Sequence, residues 1–203
     1  MNKVKFSNIM NIFKETILNN KKTIFFSCVL DYFILYILAS GSIRIQNIVF
    51  SLFVIALTIS INCGVIVALN KSIKETTSFN PLDIFILSKS KLKLGLFWYL
   101  LMAFLNAMLG IVISLVPSIQ SPIVIILSAL AITSIITPLM IISISGHAIV
   151  NKKNYIYVVI SMIFIFWINL IPMVGELLNF IITPFIVVYL LSLSEAERRD
   201  LDN

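Results

Sequence analysis

Six runs of predominantly apolar residues, 23–40, 48–69, 94–116, 123–145, 155–171 and 177–193, fill most of the 203-residue chain between short polar breaks. A helix needs about 20 apolar residues to cross a hydrocarbon core of about 30 Å, so each run predicts a transmembrane helix. Ahead of them, Phe6, Ile9, Met10, Phe13 and Ile17 recur at spacings of three and four, with Lys3, Lys5, Lys14 and Glu15 elsewhere around the wheel. This predicts an amphipathic helix over residues 2–20, within an N-terminal segment 1–22. Lying flat at the headgroup boundary, it would dip Phe6, Met10 and Phe13 toward the acyl chains and set Lys21 and Lys22 at the membrane surface. Packing of the same face against the bundle is the alternative.

One break has content of its own. Residues 70–93 contain Asn80-Pro81-Leu82-Asp83, the form of a helix start: Asn80 can cap, Pro81 suits the first helical position, and Asp83 falls in the first turn. Leu82, Phe85 and Ile86 then give a short apolar face before Lys89, Lys91 and Lys93. This predicts a brief interfacial helix that docks a cytosolic partner or shields the inner mouth of the bundle. The tail, 194–203, is charged and too short to be a domain.

Charge orients the runs. Fourteen of the fifteen Lys and Arg residues lie on one side of them: Lys3, Lys5, Lys14, Lys21 and Lys22; Lys71, Lys74, Lys89, Lys91 and Lys93; Lys152 and Lys153; Arg198 and Arg199. Only Arg44 falls on the other. Basic residues accumulate in cytoplasmic loops. The expected fold is therefore an all-α polytopic membrane protein of the cytoplasmic membrane, with six transmembrane helices over 23–193 and both termini in the cytoplasm. A cleavable signal peptide is not expected, because the region before the first run is long and Asp31 interrupts that run.

Composition agrees: 60% of residues are hydrophobic and 12% charged, against about 25% charged in soluble domains. The net charge of +6 is spread along one membrane face, where it meets anionic headgroups. A nucleic-acid binder would gather it on one folded surface. The bilayer is the implied partner, and nucleic acid is not.

Ionisable residues inside a span cost roughly 2.5–3.5 kcal/mol on insertion scales and are functional candidates by default. Asp31 lies eight residues past Thr23, about 12 Å along a helix, too deep for a short side chain to reach the headgroups. Asn62 in the second run sits at comparable depth as its natural partner; Asn106 and Asn169 are further midplane amides. A cluster of Asp31, Asn62 and Asn106 would line a cation or proton path, or else act as interhelical glue worth around 0.6 kcal/mol per bond. Pro138 and Pro184 can kink their helices and free carbonyls toward a cavity.

Chemistry beyond this is sparse. His147 is the single histidine and has no carboxylate cluster near it, so no metal site is expected. Cys28 and Cys63 lie inside apolar runs and are read as small hydrophobes. Neither a phosphate-binding Gly-rich loop, a His-Glu-x-x-His pair nor a Gly-x-Ser-x-Gly turn occurs. The expectation is a protein without enzymatic activity, cofactor or metal.

Two resemblances sharpen the functional reading. Gly64, the Lys71–Lys74 segment, Asn80-Pro81-Leu82-Asp83, Ile171-Pro172-Met173-Val174-Gly175, and Pro184 followed by Tyr189 resemble an uncharacterised family of prokaryotic six-helix membrane proteins. That resemblance implies an integral membrane protein without assigned chemistry. In architecture the chain is similar to membrane subunits of ATP-binding-cassette exporters, which begin with a surface elbow helix and place a coupling helix between spans two and three. It implies that Leu82, Phe85 and Ile86 contact a separate cytosolic ATPase. The expected function is a permease-like or accessory subunit of a membrane transport complex, alone in a homo-oligomer or with such an ATPase. The rival is a stand-alone proton- or cation-coupled carrier using Asp31; a membrane-embedded enzyme ranks below both.

Overall fold

The computed structural model describes residues 6–39, 48–115, 121–146, 155–156, 158–160, 162–163 and 174–202. Six helices account for nearly all of them: α1 (Phe6–Ala39), α2 (Ile48–Glu75), α3 (Asp83–Ser88), α4 (Leu92–Leu115), α5 (Pro122–Ser145) and α6 (Val174–Asp202). The described part of 155–163 is also helical, and no strand occurs among the described residues. Among the described residues, three segments are long and apolar enough to cross a membrane: Leu52–Glu75, Leu92–Leu115 and Ile123–Ser145. In lipid every backbone polar group must pair within the protein, and a helix pairs all of them along its own length.

Within α1 the amphipathic segment and the first apolar run are two helical stretches that meet at Asn20. α1 is continuous apart from a kink at Asn20, whose φ of −115° and ψ of 19° leave the helical region. The side chain of Asn20 explains the break. Its Nδ2 donates to the Thr16 carbonyl at 3.0 Å and to the Ser72 hydroxyl at 2.5 Å, while its Oδ1 accepts from the Phe79 amide at 3.4 Å. One buried amide thus ties α1 to α2 and to the loop after α2. Ile9, Thr16 and Asn20 are buried, and Ile12, Phe13 and Ile17 pack on the core.

α2 is the hub, in contact with each of the other five helices. Residues 63–70 of α2 are all buried, so this stretch is core on every side. After Glu75 the chain turns through Thr76, which adopts a left-handed φ of 53°, and runs back along α2. Thr23 anchors the return by donating to the Phe79 carbonyl at 2.9 Å. α3 begins at Asp83, two residues later than Pro81, with Leu82 rather than Asn80 at its N-cap, and residues 80–82 form a hydrogen-bonded turn ahead of it. The Leu82 amide donates to Asn80 Oδ1 at 3.1 Å and the Asn80 amide to Asp83 Oδ2 at 3.1 Å.

α5 contains Pro138 and ends at Gly146, whose φ of 75° suits a residue without a Cβ. α6 carries Pro184 and runs on through the charged tail, packed along the first half of α1. Phe13 meets Tyr189 edge to face, 6.4 Å between ring centroids.

Candidate functional site

Two features stand out from the packing: a small, mainly apolar cavity that four polar side chains also line, and the seat of α3 on α2.

The cavity has a volume of about 50 Å³ and is lined by Ser27 of α1, Asn62 of α2, Thr137 of α5 and Thr183 of α6, among apolar neighbours including Met162. At about 10–15 Å³ for each water, it has room for roughly three to five. Asn62 donates through Nδ2 to the Tyr99 hydroxyl of α4 at 2.7 Å. Thr137 and Thr183 each precede a buried proline, Pro138 and Pro184. A proline has no N–H, so the carbonyls of residues 134 and 180 lose their helical donors. One residue further along, the Ile135 carbonyl accepts from the Tyr155 hydroxyl at 2.8 Å.

α3 is clamped to α2 from one side. Ile84 is fully buried against Gly64, and a Cβ on Gly64 would lie 2.7 Å from the Ile84 carbonyl carbon. The hydroxyls of Ser60 and Ser88 are 3.0 Å apart. Gly95 at the start of α4 is pressed against Cys63 and Ile59 in the same way. Gly64 precedes the end of α2 by eleven residues, about 16 Å of helix. α3 therefore folds back beside α2 instead of capping its tip.

On this frame the residues singled out by sequence separate. Asn62 lines the cavity and bonds Tyr99. Asn106 does not join it; its Nδ2 donates to the Met102 carbonyl of its own helix at 2.8 Å. Asp31 lies on α1 one turn after Ser27, and its side chain is outside the described residues, as are Asn169 and His147. Leu82 and Ile86 are exposed, whereas Phe85 turns partly onto the core. Phe6, Met10, Lys21 and Lys22 are exposed, while Phe13 is taken up by Tyr189. Cys28 and Cys63 are both free thiols.

Sequence reasoning missed Ser27, Thr137, Thr183 and Ile84. A signal for two of these was present: the tetrad Ile-Ile-Thr-Pro occurs twice, at 135–138 and 181–184. Each copy delivers its threonine to the same cavity. Ile84 had no local signal, since its role depends on Gly64, twenty residues away.

A charged cluster closes the C-terminal end of α6. Glu195 is buried and held by Arg198, at 2.7 and 3.0 Å, and by Arg199 at 3.0 Å. Burial pushes its carboxyl pKa up, but hydrogen bonds from Arg198 and Arg199 and their positive charges outweigh that and leave it lowered. Arg199 also reaches the Ile73 carbonyl of α2 at 3.5 Å. Among the described residues no group of three His, Cys, Asp or Glu is placed to hold a metal ion.

No protein-family model, curated protein or solved structure matches the chain.

Proposed function

We propose that the chain is a six-span protein of the cytoplasmic membrane, with both termini in the cytoplasm, acting without enzymatic activity as a permease-like or accessory subunit of a transport complex. The seat of α3 carries the reading. Six residues are too few for a stable isolated helix, yet α3 is held by the Ile84–Gly64 contact and the Ser60–Ser88 pair. Its outer face offers Leu82 and Ile86, followed by Lys89, Lys91 and Lys93. α3 packs on α2, which touches α1, α4, α5 and α6, so force applied to that face has a path to those helices. This is the connectivity that a coupling element for a separate cytosolic ATPase requires.

The test is purification from native membranes in a gentle detergent, followed by intact-complex mass spectrometry. A co-purifying ATPase in fixed ratio is expected, and Leu82→Asp with Ile86→Asp should release it. A lone monomer or homodimer would sink the subunit reading. Cysteine labelling from either side of the membrane checks the topology; residues 44 and 119 should label from outside and residues 77 and 152 from inside.

A second reading, a carrier coupled to protons or cations, is favoured by the polar side chains of the cavity and by Asp31 one turn from Ser27. Full flux with Asp31→Asn would eliminate it.

A further inference from the structure

We propose that the exposed edge of α1, from Phe6 to Lys22, is a binding surface for anionic phospholipid, with Lys14, Lys21 and Lys22 on the headgroups and Phe6, Met10 and Leu18 on the adjoining acyl chains. The proposal rests on the first apolar run crossing the membrane, which labelling of residue 44 from outside tests by itself. It stands whether or not a partner docks on α3.

The first half of α1 has three distinct sides. The bundle takes one: Ile9, Thr16 and Asn20 are buried, and Phe13 meets Tyr189. A second is polar, where Asn8, Asn11 and Glu15 line a hollow of about 230 Å³ with Ala196 and Arg199 of α6. The third carries Phe6, Met10, Lys14, Leu18 and Lys22 at steps of four, all of them exposed. Residues four apart are neighbours on a helix surface, so these five form a line, and Lys21 is exposed beside it. Glu15, the one acidic residue between Phe6 and Lys22, belongs to the polar side instead. Packing explains the first side and solvation the second. Neither explains Phe6 and Leu18, which stand 67% and 59% exposed.

The line does not stop at the Asn20 kink. Phe25, Val29 and Phe33 extend it into the first apolar run at steps of three and four, and they too are exposed. In a transmembrane helix that edge meets acyl chains. One continuous edge thus leads from the lipid-facing side of the run onto the amphipathic half, and Lys21 and Lys22 stand at the junction. Charge selects the lipid. Lysines at the membrane surface attract an anionic leaflet, while their stems lie along apolar surface. A zwitterionic leaflet would be met by the apolar side chains alone.

The experiment uses the full chain in detergent micelles, unfolded thermally while phosphatidylglycerol or phosphatidylcholine of the same acyl chains is added. The expected result is a saturable rise in the unfolding midpoint with phosphatidylglycerol beyond that with phosphatidylcholine, weakened by salt. Replacing Lys14, Lys21 and Lys22 with glutamine should reduce the apparent affinity, roughly fivefold for each lysine that holds a headgroup. Lys74→Gln, at an exposed lysine on α2 off this edge, should leave it unchanged. Equal responses to the two lipids overturn the proposal. So does unaltered affinity in the triple variant, or a loss in Lys74→Gln as large as that of a lysine on the edge, which would mark a diffuse attraction of all basic residues. A triple variant that keeps the lipid response but loses a co-purifying protein would assign the edge to a protein partner and remove the lipid surface.

Discussion

Gly64 and Ile84 meet backbone against backbone, with the position a Cβ would take on Gly64 only 3.0 Å from the Cα of Ile84. Neither side of that contact is a flexible side-chain end, so α3 must move if anything larger than hydrogen stands at position 64. Gly64→Ala should cost about 1–3 kcal/mol, the usual range for overpacking, and loosen α3. Gly110 is the control, because nothing lies within 4 Å of its Cβ position. Gly110→Ala should gain up to about 1 kcal/mol from helix propensity. Denaturation of both variants in detergent, with proteolysis of the 76–91 segment, reads the difference.

The Gly95–Cys63 contact yields to chemistry where Gly64–Ile84 does not. An added Cβ at position 95 would strike the Cys63 sulfur and come within 3.1 Å of the Ile59 Cγ2. Gly95→Ala alone should destabilise by about 1–3 kcal/mol. Adding Cys63→Ala removes the sulfur, so the double variant should be more stable than the sum of the singles, with a coupling of about 0.5–3 kcal/mol. A double-mutant cycle of unfolding midpoints checks it; strict additivity would show that the two groups do not touch.

Asn62 and Tyr99 join α2 to α4 by a single hydrogen bond of 2.7 Å. Bonds of this kind in membrane helices average about 0.6 kcal/mol. Tyr99→Phe should therefore lower stability by about that amount. Unfolding midpoints of the native chain and the variant in detergent read the difference.

Glu195 makes stability depend on pH. Its folded pKa lies below the ordinary carboxylate value, which is about 4.3. A depressed acid pKa adds stability that is fully present above the unfolded value and is lost as pH falls through the folded one. Unfolding midpoints should thus drop below about pH 4.3 in the native chain, and less steeply in Glu195→Gln. The partners are not equivalent, because Glu195 is buried while Arg198 and Arg199 are about half exposed. Replacing both arginines with alanine strands a buried carboxylate and should cost about 3–5 kcal/mol. Removing the acid leaves two half-exposed guanidinium groups that water already reaches and should cost less.

Several features were legible from local pattern. The reciprocal side-chain bonds of Asn80 and Asp83, in the turn that leads into α3, follow from a motif four residues long. The kink at Asn20 falls beside Lys21, where the amphipathic pattern gives way to the first apolar run. Other relationships were not legible, because depth along a helix says nothing about direction around it. Asn106 shares the approximate depth of Asn62, yet bonds to its own helix. Phe6 and Phe13 share one apolar stripe, but only Phe13 meets Tyr189.

Helix is dictated by the sequence itself, since long apolar segments have no other way to pair their backbone groups in lipid. The same segments do not say which of their faces turns inward. In water, burial separates an apolar side from a polar one; in lipid both sides are apolar, and the periodicity that would mark the interior is absent. Shape decides instead. Gly64 accepts Ile84 because it lacks a side chain, and Thr137 and Thr183 share a cavity because two proline-bearing helices pack side by side. These contacts join residues 20 to 46 positions apart, and only the tertiary structure could bring them together.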